Sequence, residues 1–210
     1  MPNIIYPPET TVIFQGAVVM TGDTRPEYSR TQLTQENLAR HRILPTEWRV
    51  WDAMGSLLPS AAANDDLGIV GGTFGSASPS LQSGDAKATT VTRYARCTVR
   101  LPHQYVAGET VLLRVHAGML TTVSDGTATI DFQVYRSDDA AGIGSDLCAT
   151  GAQSINSLTP ANKDFVITAA SLGPGDLLDI RMTIAITDAA TGTAVIGMAG
   201  AVELLLDVKG

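Results

Sequence analysis

Apolar and polar residues alternate along much of the C-terminal half of this chain. Ala95, Cys97, Val99 and Leu101 alternate with Arg96, Thr98 and Arg100. Ala128, Ile130, Phe132 and Val134 alternate with Thr129, Asp131, Gln133 and Tyr135. Leu178, Ile180, Met182, Ile184 and Ile186 alternate with polar Asp179, Arg181, Thr183 and Thr187. Successive strand side chains point to opposite faces, so such alternation sends one set to a core and the other to water. The pattern predicts strands over 93–101, 110–117, 127–136, 164–168 and 177–187, with a further one over 147–155. Val111, Leu113 and Val115 should face inward and Arg114 and His116 outward; Phe165 and Ile167 should face inward. The last segment, 193–208, keeps Ile196, Met198, Val202, Leu204, Leu206 and Val208 in one phase. It is too long for one flat strand, so Gly197 or Gly200 should bend it. Ser124-Asp125-Gly126 and Gly173-Pro174-Gly175-Asp176 are turn signals.

Strands divided by turns in this way make an all-β fold, a jelly-roll-like antiparallel β-sandwich. An immunoglobulin-type sandwich is the alternative, but its buried Cys–Trp–Cys hallmark is absent. No repeat of propeller or solenoid length is visible.

The pattern weakens toward the N-terminus. Residues 1–47 are irregular and punctuated by Pro2, Pro7, Pro8, Pro26 and Pro45. Short strands are expected over 10–14 and 17–20. A short helix is expected over 34–44, capped by Thr34, stapled by Leu33 and Leu38 and ended by Pro45. Too few apolar residues occur here for a separate core, so residues 1–47 read as an extended N-terminal arm and 48–210 as the sandwich domain. Within the domain, 48–54 is expected to be the first strand. Residues 55–91 form a long Gly/Ser/Ala-rich stretch, which Leu67, Ile69, Val70 and Phe74 would pin to the core.

Composition narrows the function classes. Of 210 residues, 44% are hydrophobic and only 17% charged, against about 25% charged in average usage. This fits a chain that buries its outside against other subunits, and equally a Gly/Ala/Thr-rich β-protein. The net charge of −7, without any basic run, argues against nucleic acid as a partner. Two cysteines make no disulfide framework: Cys97 lies on an apolar strand face and Cys148 follows a Gly/Asp-rich loop, so folding in a reducing cytoplasm is the simpler reading. The N-terminal residues lack the charge-then-apolar layout of a signal peptide, and no apolar stretch reaches membrane-spanning length.

Candidate chemistry is sparse. The three histidines are His41, His103 and His116, and no G-x-S-x-G elbow accompanies them. Asp138, Asp139 and Asp146, or Asn64, Asp65 and Asp66, lack calcium-loop spacing and read as solvated loops. The 71–75 glycine run lacks the G-K-[ST] ending and the helix of a phosphate loop. Zinc has no spaced ligand set. Sugar binding on a sandwich uses exposed aromatics, for which Trp48, Trp51 and Tyr135 are the candidates, with core or arm packing as the alternative for the tryptophans. No catalytic, cofactor-binding or metal-binding residue is assigned, and no enzymatic activity is expected.

Four segments carry a resemblance: SAAANDDLGIVGGTFG at 60–75, TRYARCTVRLPHQYVAGETVLLRVHAGM at 92–119, SINSLTPANKDFVIT at 154–168 and LGPGDLLDIRMTIAITDAATGTAVIGMAGAVELLLDVKG at 172–210. In these the chain resembles the capsid decoration (cement) proteins of tailed bacteriophages. The resemblance covers most of 48–210 and leaves the arm out. It implies a jelly-roll module, a homotrimer, that binds the major capsid protein on the outside of a phage head and bridges its subunits, on virions assembled in the host cytoplasm. It brings no catalytic residues. A head-fibre or carbohydrate-binding β-sandwich module is the alternative function.

Overall fold

A computed structural model describes the backbone of residues 12–14, 18–20 and 27–28 and, in full, residues 38–137 and 144–209. The chain divides into two compact units, Met1–Leu38 and Ala39–Gly210. In the first unit, β1 (Val12–Phe14), β2 (Val18–Met20) and β3 (Glu27–Tyr28) pair antiparallel in the order β1-β2-β3.

The second unit is an antiparallel β-sandwich. Its strands are β4 (Ala39–Ile43), β5 (Gly68–Val70), β6 (Ser80–Gln82), β7 (Thr90–Arg100), β8 (Val111–Met119), β9 (Thr127–Ser137), β10 (Gln153–Ser154), β11 (Ala161–Ile167), β12 (Leu177–Thr187) and β13 (Gly197–Leu206). One sheet has the order β10-β9-β12-β7. The other runs β11-β8-β13-β6-β5, with β4 also on β13. The long strands from β7 onward pass repeatedly from one sheet to the other, as in a jelly roll. Alternation sets which side is buried: Ala128, Ile130, Phe132 and Val134 of β9 and Leu178, Ile180, Met182, Ile184 and Ile186 of β12 are all in the core. The second sheet contributes Val111, Leu113, Val115, Phe165 and Ile167. Phe132 of β9 meets Phe165 of β11 edge to face, with ring centroids 4.9 Å apart, and so joins the two layers.

Four expectations change. The strand expected over 147–155 is reduced to β10, with Cys148 alone bridging to Ile167. Residues 39–43, expected inside a helix over 34–44, are strand β4, pairing from Ala39 opposite Leu206 to Ile43 opposite Val202; residues 34–37 lie outside the described residues. A helix of that length has little stability of its own. The open edge of β13 supplies backbone partners, and Ile43 becomes 97% buried there. Among the described residues nearby, the helical turn is a 3-10 turn over Pro45–Glu47, where the Glu47 carboxylate accepts the Leu44 amide at 2.6 Å. The compact unit therefore takes in 39–47, which the sequence boundary leaves to the arm.

Residues 48–54 are not a strand. Arg49 alone bridges to β7, exchanging both backbone hydrogen bonds with Arg96, and the chain then turns back so that Arg49 also opposes Leu57.

β13 does not keep one phase. Its pairing with β8 shifts between Ala199 and Val202, at Gly200 and Ala201. The bulge moves the buried set from Val195, Gly197 and Ala199 to Val202, Leu204 and Leu206. Met198 is thereby turned to the other face. Gly197 lets β13 approach β12 of the facing sheet closely: a Cβ there would sit 3.1 Å from side-chain carbons of Ile184 and Ile186.

Candidate functional site

The outer face of the four-stranded sheet is built by the polar half of the alternation. Tyr94 and Arg96 come from β7, Asp179, Arg181 and Thr183 from β12, and Asp131, Gln133 and Tyr135 from β9. Register places Arg96 opposite Arg181 and Arg181 opposite Gln133, so these three form one row across three strands. Tyr94, Thr183 and Asp131 form the next row on one side, and Thr98, Asp179 and Tyr135 the next on the other.

The free edge of β7 is covered by two loop segments. Arg49 pairs with Arg96, while Leu67 N–H donates to Tyr94 O and Tyr94 N–H to Asp65 O, each at 2.8 Å. This docking swings Trp51 over the sheet. Its indole N–H donates to Asp65 Oδ2 at 2.9 Å, and its ring lies 5.1 Å from that of Tyr94. The Arg181 guanidinium sits over both rings, 5.5 Å from Trp51 and 5.0 Å from Tyr94.

The result is a shallow cleft of about 310 Å³, with Trp51, Arg96, Gln133, Tyr135, Asp179 and Arg181 in its walls and Asp52 at the rim. Its volume falls at the lower end of the about 300–1,000 Å³ of small-molecule sites. Arg96 spends its charge on Asp179 in a two-pronged pair, with Nε–Oδ1 at 2.7 Å, and NH2 bonding the other oxygen. Arg181 donates from NH2 to Gln133 Oε1. Its Nε is buried without a hydrogen-bond partner. Burial pushes the Asp131 carboxyl up, against the pull of the Phe132 amide and Arg181. Burial also raises the Asp66 carboxyl, with Asp65 and Asp52 pushing the same way and the Trp51 amide opposing.

Of the aromatic candidates, the structure brings Trp51 and Tyr135 together in the cleft. Trp48 is 1% exposed and belongs to the core. Tyr94 and Arg181 are not legible as site residues in isolation; their signal is that they occupy outward positions of neighbouring long strands. The histidines do not converge: His41 is exposed on β4, His103 packs near Gly175, and His116 on β8 meets Asn162 at 3.1 Å. Asp146 accepts the amides of Val134 and Cys148 at 2.9 Å, while Asp138 and Asp139 lie outside the described residues. Among the described residues no group of three or more His, Cys, Asp or Glu is arranged to hold a metal ion. Both cysteines are unpaired thiols, and burial pushes Cys97 well up and Cys148 to about 11, so neither is an activated nucleophile.

A second, larger cleft of about 1,020 Å³ lies at the gap between β4 and β6 along β13. It is mainly apolar, with Leu44, Val70, Pro79, Leu120 and Met198 in its walls. The 71–78 loop beside it carries Phe74, which is fully exposed and does not pin the loop to the core; Leu67 does that, at 0% exposure.

No family model matches this chain, and no curated protein matches it. Several solved structures are similar. They include the CBM22-1 xylan-binding domain of Paenibacillus barcinonensis Xyn10C, at 16% identity and a TM-score of 0.38 over 69% of this chain and 83% of that one. A family 16 carbohydrate-binding module is 14% identical, with a TM-score of 0.40 over 70% and 88%. The xylan-binding module CBM15 is 11% identical, with a TM-score of 0.41 over 82% and 99%. Likenesses at these scores carry no argument for function.

Proposed function

We propose that this chain is a non-catalytic glycan-binding β-sandwich module, with the cleft on its four-stranded sheet as the binding site. One observation carries the reading: half-buried rings of Trp51 and Tyr135 stand beside polar groups with unused hydrogen-bonding capacity. Sugar rings present apolar C–H faces and polar edges, and such a surface matches both. The Tyr135 hydroxyl and the Gln133 amide nitrogen carry no bond among the described residues. The larger apolar cleft is lined by Arg42, Gln82 and His116 but by no tryptophan or tyrosine. The test is a glycan array probed with the wild type and with Trp51→Ala/Tyr135→Ala. Wild-type binding that the double variant loses supports the reading, and the absence of any glycan binding overturns it.

A second reading rests on a different observation. Leu44, 54% exposed, lines the large apolar cleft together with Val70, Pro79, Leu120 and Met198, and the fully exposed Phe74 lies on the 71–78 loop beside it. Exposed apolar patches of this kind mark protein interfaces. This favours the assembly role implied by the sequence resemblance: a self-associating decoration subunit that bridges the major capsid protein of a phage head. Light scattering should then give a trimer, and Phe74→Ser should weaken association and capsid binding. A monomer that ignores capsids would end this reading.

A further inference from the structure

We infer that the ligand of the cleft carries a carboxylate, that is, an acidic sugar such as a uronic acid residue, and that Arg181 is the group that recognises it. This inference rests on the glycan-binding reading above and names its ligand class.

The first ground is register. Arg96 and Arg181 stand directly opposite each other on neighbouring strands, with Gln133 as the next residue in the row. Like charges placed opposite one another destabilise a sheet. The corresponding row of the six-stranded sheet avoids this: Arg42, Glu203, Arg114 and Asp164 alternate in sign across β4, β13, β8 and β11. There Arg42 pairs with Glu203 at 3.4 Å and Arg114 with Asp164 at 2.7 Å. Departures from such a local rule concentrate at functional sites.

The second ground is how the two cleft arginines are used. Arg96 is matched by Asp179 from the adjacent row. Among the described residues Arg181 forms no ion pair, and its NH1 carries no hydrogen bond. Its guanidinium is nevertheless fixed, by the two rings beneath it and by the Gln133 amide oxygen. A rigid, half-buried guanidinium with an open edge is suited to a planar carboxylate, which it binds through parallel N–H donors.

The nearby acids do not remove this charge. Asp179 is spent on Arg96. Asp52 is exposed at the rim, where solvent screens it. Asp131 lies one row along, opposite Thr183; Arg181 attracts its carboxyl, but burial outweighs that pull and among the described residues the two form no ion pair. Arg181 thus remains the cation available to an incoming anion, and the stacked rings of Trp51 and Tyr94 limit its loss of side-chain freedom on binding.

The experiment is calorimetric titration with oligogalacturonate and with the same oligosaccharide as its methyl ester, repeated with acidic and neutral pairs of other glycans that bind on the array. The account expects the free acids to bind at least about tenfold more tightly than their esters. It expects this preference to shrink with added salt and to vanish in Arg181→Gln, with residual binding of neutral sugar retained. Far-ultraviolet circular dichroism and the urea-unfolding midpoint of Arg181→Gln should match the wild type, which separates loss of recognition from loss of fold. Equal binding of acid and ester, or an acid preference that survives in Arg181→Gln, overturns the inference and leaves the glycan-binding reading standing. No glycan binding of either kind overturns both.

Discussion

The two sheets of the sandwich share a core and a strand alternation, yet they turn different surfaces outward. On the six-stranded sheet the charged groups neutralise each other across the strands, Arg42 with Glu203 and Arg114 with Asp164, and His116 meets the neutral amide of Asn162. On the four-stranded sheet two arginines meet head on, only one has a carboxylate, and aromatic rings cover the other. The first arrangement is what folding alone would select. The second leaves hydrogen-bonding capacity and charge unspent in a concave place. The difference teaches that polar residues at equivalent alternation positions serve two ends, and that the partner count across the strands tells them apart.

The largest effect should come from breaking the layer contact on which both faces depend. Phe132→Ala removes a buried ring that packs on Phe165 and should cost about 3–5 kcal/mol in denaturant unfolding. A cost under about 1 kcal/mol would mean that the two sheets are not held as described.

Next come the ion pairs, where the two faces can be compared directly. Arg96→Met strands the Asp179 carboxylate, whose side chain is only 8% exposed, and should cost about 2–3 kcal/mol. Arg114→Met leaves Asp164 at 32% exposure, where water can replace the lost partner, and should cost about 1 kcal/mol or less. Equal costs in urea unfolding would remove the distinction between the faces.

Acid should reveal a third carboxylate, outside both faces. Burial alone would raise the Asp188 carboxyl, but the Thr191 hydroxyl and the Ala88 and Asp125 amides outweigh it and hold it at about 2. A lowered carboxyl contributes stability above its unfolded value, about 3.9, and loses that contribution as pH falls toward 2. The wild-type Tm should therefore drop between about pH 4 and pH 2 more steeply than that of Asp188→Asn. Parallel curves would show that the latch among residues 88, 125 and 188–191 contributes nothing.

The smallest stability effect is expected at the site itself. Arg181→Gln relieves the repulsion from Arg96 and gives up the contact with the two rings, so unfolding free energy should stay within about 0.5 kcal/mol of the wild type. A large loss would make Arg181 a structural residue and weaken its part in recognition.

Much of the sandwich was legible in the sequence because strict alternation is a direct image of a two-faced strand. β12 begins and ends at the predicted residues, and Val111, Leu113, Val115, Phe165 and Ile167 face the core as expected. Three parts were hidden for physical reasons. β4 owes its strand to an open edge of β13 more than 150 residues away in sequence, and nothing local to 39–43 signals that edge. The phase change in β13 comes from a bulge, which leaves the apolar count intact while exchanging faces. The cleft depends on register, because Arg96, Arg181 and Gln133 become neighbours only once three strands are aligned. Trp51 and Tyr135 could be named as candidates from their chemistry; that they share one cleft could not.

The most direct measurement is amide and indole chemical-shift mapping of labelled protein titrated with an acidic oligosaccharide. The account predicts saturable shifts at the Trp51 indole, Tyr94, Gln133, Tyr135 and Arg181, with the strands of the six-stranded sheet unmoved. Saturable shifts confined to the β4–β13–β6 gap, with the four-stranded face silent, would contradict it.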